Sequence, residues 1–345
     1  MNENKIIAFD SLRVIAIFSV IILHASVDPF LYLYPSFDWD MANLYESFSR
    51  WNVAVFFMIS GALFLRNSKK LDIKKLYSKN ILRIVVVFLF WSLVYGILYG
   101  KIKIGCSYKD IIEVLRVPHH FWFLKALLGL YIAIPIYKYI VSKEKFEIYF
   151  LIITFFLGIL IPSTISIVGV FDKPLESLFI SVYDKFNVQL ISTYSFYFVI
   201  GHYLLEYPPN SIKKYILYFL GVISPFVVLY LTSYVTKCNE IPVVQFYENS
   251  FISTAIEAIA IFVLFITRFN AQGCFDGLFA KASKNVMGIY IVHVMVMSLL
   301  SVFGLEPNSY NTLFFIPIYS LVVFAISYVI VELLQKIPFV NKWLI

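Results

Sequence analysis

Long apolar runs separated by short polar segments dominate this chain. Runs long enough to cross a bilayer core, roughly 20 residues each, lie at about 11–30, 43–65, 81–100, 120–141, 147–170, 187–206, 214–235, 250–269, 285–304 and 313–334. They are too long and too continuously apolar for barrel strands, and backbone groups in hydrocarbon need internal partners, so each run reads as a helix. The pattern predicts an all-α, polytopic membrane protein of about ten transmembrane helices, a single domain over residues 1–345. No repeat of fixed period interrupts it. The longest connections, around 66–80, 101–119 and 171–186, are too short for further domains, and Ser107 to Arg116 reads as one amphipathic helix on the outer surface.

Composition agrees with this pattern. Hydrophobic residues make up 61% of the chain, charged residues 14%, and the mean hydropathy is +0.83, values that exclude a water-soluble domain of this length. The segment after Lys5 lacks a small-residue cleavage site and reads as a retained first helix. Cys106, Cys238 and Cys274 are too few and too dispersed for a disulfide framework, and no metal-ligand cluster is expected. The net charge of +7 reflects topology and not nucleic acid, because no basic stripe with interleaved aromatics occurs. If the N-terminus is cytosolic, the inner segments hold eighteen Lys and Arg residues, including Arg66, Lys69, Lys70, Lys74, Lys75, Lys79, Arg83, Lys281 and Lys284. The outer segments hold seven. That asymmetry predicts that both termini are cytosolic.

Charged groups inside spans change the picture from architecture to chemistry, since each costs on the order of 3 kcal/mol on insertion scales. Arg13 and His24 in the first run are eleven residues apart, which returns to nearly the same helix face about 16 Å along the axis. Asp10 can pair with Arg13 three residues on, a pair that could also simply anchor the helix end. Arg50 opens the second run near the predicted depth of His24. Ser60 beside Gly61 fits a close helix contact. His119, His120, Trp122 and Lys125 open the fourth run at the same outer level, where aromatics form interfacial belts and a lysine can snorkel. Glu257, Tyr290 and His293 lie deeper, with Glu257 a natural partner for Lys125 or Arg50.

Five motifs occur in order on the first, second, fourth, sixth and ninth runs: Arg13 with His24, Phe56-Phe57-Met58-Ile59-Ser60-Gly61, His120-Phe121-Trp122-Phe123-Leu124, Phe198-Val199-Ile200-Gly201, and Gly288-Ile289-Tyr290-Ile291-Val292-His293. Together they resemble the membrane acyltransferase-3 family over the whole chain. The nearest likenesses within it are compact enzymes that acetylate sugars of bacterial surface polysaccharides, and the membrane half of vancomycin-resistance serine racemases. The resemblance implies a multi-pass protein of the bacterial plasma membrane. It also implies an O-acyltransferase that moves an acetyl group from acetyl-coenzyme A, the acyl donor, to a hydroxyl of a surface glycan or its lipid-linked precursor. The family's essential Arg and His correspond to Arg13 and His24. Where the family often carries Arg-x-x-Arg, Arg83 fills the second place, Asn80 the first, and Lys79 is adjacent. No extracellular esterase-like domain is expected after the spans, and hence no second transfer step on this chain; a racemase domain is not expected either.

On this reading His24 is the general base, with Arg13, Asp10 and Arg50 completing the catalytic group. Arg13, Lys79, Arg83 and Ser60 contact the coenzyme. His120, Trp122, Lys125, Glu257, Tyr290 and His293 form the substrate site. Ser60, Arg50 or Trp122 could supply the oxyanion donor. The alternative is a module that takes up a small polar molecule such as L-serine. Such a transporter would show paired, interrupted spans in its two halves, and the prolines Pro135, Pro162, Pro225 and Pro317 do not pair in that way.

Overall fold

A computed structural model describes residues 3–66, 71–100, 119–268 and 276–345. The expected amphipathic helix at Ser107–Arg116 lies outside them. Among the described residues there is no strand. The helices are α1 (Glu3–Tyr32), α2 (Phe37–Ser49), α3 (Trp51–Phe64), α4 (Leu82–Leu98), α5 (Trp122–Ile132), α6 (Ile134–Val141), α7 (Glu144–Phe155), α8 (Ile161–Phe171), α9 (Lys173–Phe186), α10 (Gln189–Glu206), α11 (Ser211–Asn239), α12 (Ile252–Arg268), α13 (Asp276–Val302), α14 (Thr312–Leu334) and α15 (Pro338–Trp343).

All ten apolar runs are helical, but they are not ten equal crossings. Among the described residues, eight helical stretches are long and apolar enough to span a membrane. The run at 120–141 is a ninth only if α5 and α6 count together, because they bend by 59°. Pro135 in the first turn of α6 explains the break, since proline lacks the N–H that would continue the ladder and its ring crowds the preceding turn. The run at 187–206 forms α10, which is too polar to meet the same measure and is packed against α3 and α7 inside the bundle.

Two expected loops are helical. Residues 171–186 form α9, where the Asp172 side chain accepts from the Leu175 N–H at 2.9 Å and Asn187 ends the helix in the left-handed region at φ 52°. Leu175, Leu178, Phe179, Val182 and Phe186 make its apolar stripe. The connection expected between the runs 11–30 and 43–65 shrinks to residues 33–36. Here Ser36 caps α2 by accepting from the Trp39 N–H at 3.1 Å. Since Arg50 keeps helical dihedrals, α2 runs directly into α3 as one stretch, Phe37–Phe64.

The centre is held by the crossing of α3 and α10. A Cβ on Gly61 would lie 1.6 Å from the Phe198 carbonyl oxygen, and one on Gly201 would lie 2.1 Å from the Met58 carbonyl oxygen. Only glycine permits backbones that close. Gly61→Val should therefore push the helices apart and lower the thermal transition of the detergent-purified protein, with a loss of about 1–3 kcal/mol or more from overpacking. Gly129→Ala, at a glycine with open space around it, serves as the control. Equal transitions for the two variants would remove the crossing as a determinant of stability.

Candidate active site

A cavity of about 390 Å³ opens between α1, α3, α4, α5 and α13. One end is polar and exposed. Lys79 and Asn80 come from a π-helical turn, Leu76–Ile81, that leads into α4, and Arg83, Ser283 and Lys284 complete the rim. Such turns widen a helix locally and recur at functional sites. The other end is aromatic and enclosed, with His120, Phe123 and Tyr290 buried and His24, Phe56 and Trp122 half-buried.

Arg13 and His24 both line this cavity, on one unbroken helix, so the spacing read from the sequence becomes a distance along the cavity. Arg13 is held at its level by Asp10, whose Oδ1 accepts from the Arg13 guanidinium at 3.2 Å and from the Ser283 hydroxyl at 2.6 Å. Asp10 thus clasps α1 to α13 without lining the cavity. Ser60 bonds the Tyr131 hydroxyl, which also faces the charge of Arg13, so Ser60 sits toward the Arg13 end of the cavity.

At the buried end three imidazoles converge. The His24 ring lies 5.2 Å from that of His293 and 6.5 Å from that of His120, and His120 lies 5.6 Å from His293, between centroids. The Tyr290 hydroxyl donates to the His120 carbonyl, fixing the start of α5 against α13. Tyr95 enters from α4, its ring 5.2 Å from His120. Its hydroxyl donates to the Ile291 carbonyl at 2.7 Å and accepts from the Met295 N–H at 3.2 Å, inserting itself into the ladder of α13 around His293.

Eight of the thirteen residues singled out from the sequence line the cavity: Arg13, His24, Ser60, Lys79, Arg83, His120, Trp122 and Tyr290. Asp10, Arg50, Lys125, Glu257 and His293 do not. Arg50 is bound by Glu46 and stands 4.2 Å above the Tyr247 ring. Lys125 is exposed, its ammonium 5.9 Å from the Phe88 ring, as snorkelling would give. Glu257 is buried on α12 with no ion pair to Arg50 or Lys125 among the described residues. His293 stands behind His24, fully buried.

Sequence reasoning missed Tyr95, Tyr131 and Ser283, and treated Lys284 only as a topology marker. Two of these are tyrosines among 25 in the chain, so residue type alone carries no signal for them. Lys79 and Lys284 have no ion-pair partner among the described residues, while Arg83 donates to the Ile345 carbonyl. No group of three His, Cys, Asp or Glu among the described residues is placed to hold a metal ion.

The arrangement can therefore admit a polyanionic molecule at a cationic rim, pass a slender arm along an apolar throat, and present its end to imidazoles. Compared with known families, residues 6–332 match a model described as an acyltransferase domain. Comparison with curated proteins and with solved structures gives no match.

Proposed function

Since the chain belongs to the acyltransferase-3 family and is a multi-pass membrane acyltransferase, we propose that it moves an acetyl group from cytosolic acetyl-coenzyme A to a hydroxyl of a cell-surface glycan or its lipid-linked precursor at the bacterial plasma membrane. The observation that carries this reading is the single cavity joining Arg13 to His24. Its rim of Lys79, Arg83 and Lys284 suits the phosphates of the coenzyme, and the excess of basic residues on that side agrees with a cytosolic rim. The pantetheine arm runs past Arg13 and Ser60, and the thioester reaches His24, a carriage of about 16 Å along α1.

The acceptor hydroxyl gives its proton to His24 as its oxygen attacks the thioester carbon. The tetrahedral oxyanion then needs a donor. Of Ser60, Arg50 and Trp122, only Trp122 lies both in the cavity and at the His24 end, in the first turn of α5. We assign the oxyanion contact to its indole N–H. Collapse breaks the carbon–sulfur bond, forms the ester, and returns the proton from His24 to the departing thiolate. Water exclusion by Phe56, Phe123 and Tyr290 limits hydrolysis of the donor.

Arg13 tests the donor side. Arg13→Lys keeps the charge but loses the planar fork, so the dissociation constant of acetyl-coenzyme A, measured by calorimetry on purified protein, should rise about tenfold. A value equal to the parent's would remove Arg13 from this role. Vesicles holding the protein that accumulate serine, with no thiol released in the presence of any hydroxyl acceptor, would replace transfer by uptake.

A further inference from the structure

His293 is a buried titratable group whose ring lies 5.2 Å from that of His24, yet it stands behind the cavity wall and does not line it. Its Nδ1 lies 2.7 Å from the Tyr290 carbonyl oxygen and 3.2 Å from that of Ile289. Carbonyl oxygens only accept, so Nδ1 must carry the hydrogen. In a neutral imidazole this leaves Nε2 with the lone pair. That nitrogen is buried and has no hydrogen-bond partner among the described residues.

A buried acceptor left unpaired is costly, so the nearby donors matter. The Tyr290 hydroxyl is given to the His120 carbonyl and the Tyr95 hydroxyl to Ile291. His24 remains. Its ring centroid is 5.2 Å away with the planes inclined by 42°, so a turn of the ring brings a nitrogen within hydrogen-bond reach of His293 Nε2. No other hydrogen bond orients His24 among the described residues.

We infer that His293 is a positioning residue: its Nε2 accepts an N–H from His24 and so holds His24 with its other, unprotonated nitrogen toward the cavity. This rests on the reading of His24 as the base. A base works only when its lone pair faces the reacting proton, and in nucleophilic sites a third group usually supplies that orientation. Here an imidazole, itself fixed by the backbone of α13, takes the place that a carboxylate often fills. When His24 becomes protonated, its charge is shared with a neutral neighbour, which keeps a second net charge out of the buried end.

Two substitutions and one spectrum test this. His293→Leu removes the acceptor, and kcat should fall roughly a hundredfold, the lower end of what a correctly presented base contributes, with the KM for acetyl-coenzyme A unchanged. His293→Gln puts an amide oxygen near the place of Nε2 and should recover kcat to within a few-fold. Equal kcat values in the two variants, or a parent value in His293→Leu, would overturn the inference. Independently of activity, ¹⁵N-histidine spectra of the wild-type protein should show His293 with hydrogen on Nδ1 and a nitrogen–nitrogen coupling between His24 and His293 Nε2. Hydrogen on His293 Nε2 would overturn it as well. With five histidines in the chain, single replacements assign the signals. Absent acyl transfer in the wild-type enzyme would sink the functional reading while leaving the spectrum to decide the contact.

Discussion

His24→Gln should abolish acyl transfer, lowering kcat by about two to four orders of magnitude, while acetyl-coenzyme A still binds with the parent dissociation constant. Glutamine can reproduce one hydrogen bond of the imidazole but cannot take a proton. Base catalysis acts on the transition state and contributes little to ground-state binding. His24→Ala should be equally inactive, and the thiol released with a hydroxyl acceptor gives the measurement. Retained activity in His24→Gln would make His24 a structural donor. The base would then be His120, the other imidazole on the cavity wall, and not Glu257, which lies away from it.

The largest stability effect is expected at Glu46, which the sequence did not single out. Its carboxylate is 1% exposed, pairs with the Arg50 guanidinium, and accepts from the Ser26 hydroxyl at 3.2 Å. Arg50 in turn lies over Tyr247, whose hydroxyl donates to Asn43. Glu46→Ala strands the arginine in a site built for a pair, and breaking such a pair destabilises by about 3–5 kcal/mol. The thermal transition in detergent should drop accordingly. Glu46→Leu combined with Arg50→Met should recover most of the loss, because the uncompensated charge is then gone. A single Glu46→Ala with an unchanged transition would show the pair to be incidental.

These residues also show what a linear reading captures and what it loses. Depth along the helix was partly legible: Arg13, His24 and His120 stand out because polar groups in apolar runs are costly, and His24 and His120 meet at one end of the cavity, whereas Tyr290, expected deeper, bonds His120 at that same end. Rotation about the helix was not. Where a run is apolar on all sides, hydrophobic periodicity no longer marks a face, so Lys125 and Glu257 looked equivalent to His120 and Tyr290 although they point elsewhere. Arg50 met its partner one turn earlier, at Glu46, within its own run. The helix α9 was signalled by Asp172, Pro174 and the spacing of Leu175, Leu178 and Phe179, but only to a search for caps and not for hydropathy. Asp10 was read as a partner for Arg13 and is one. That it also binds Ser283 is a fact of tertiary contact that no local pattern encodes.

The polarity of α10 bears on how the chain is made. Its His202 is bonded to Glu147 at 2.7 Å, Thr193 donates to the Gly158 carbonyl at 2.9 Å, Ser195 meets the Tyr137 hydroxyl at 2.6 Å, and Gly201 seats against Met58. Each of those four receivers precedes α10 in the order of synthesis. A segment too polar to rest comfortably in lipid therefore emerges when the surfaces that match it are already in the bilayer, and it passes into protein instead of hydrocarbon. Deleting residues 144–171 would leave His202 and Thr193 of that helix without their partners. The ribosome would then be feeding out a helix with two of its polar groups unmatched and chiefly α3 left to receive it, and the orientation of every later span, from α11 to α14, would be at stake.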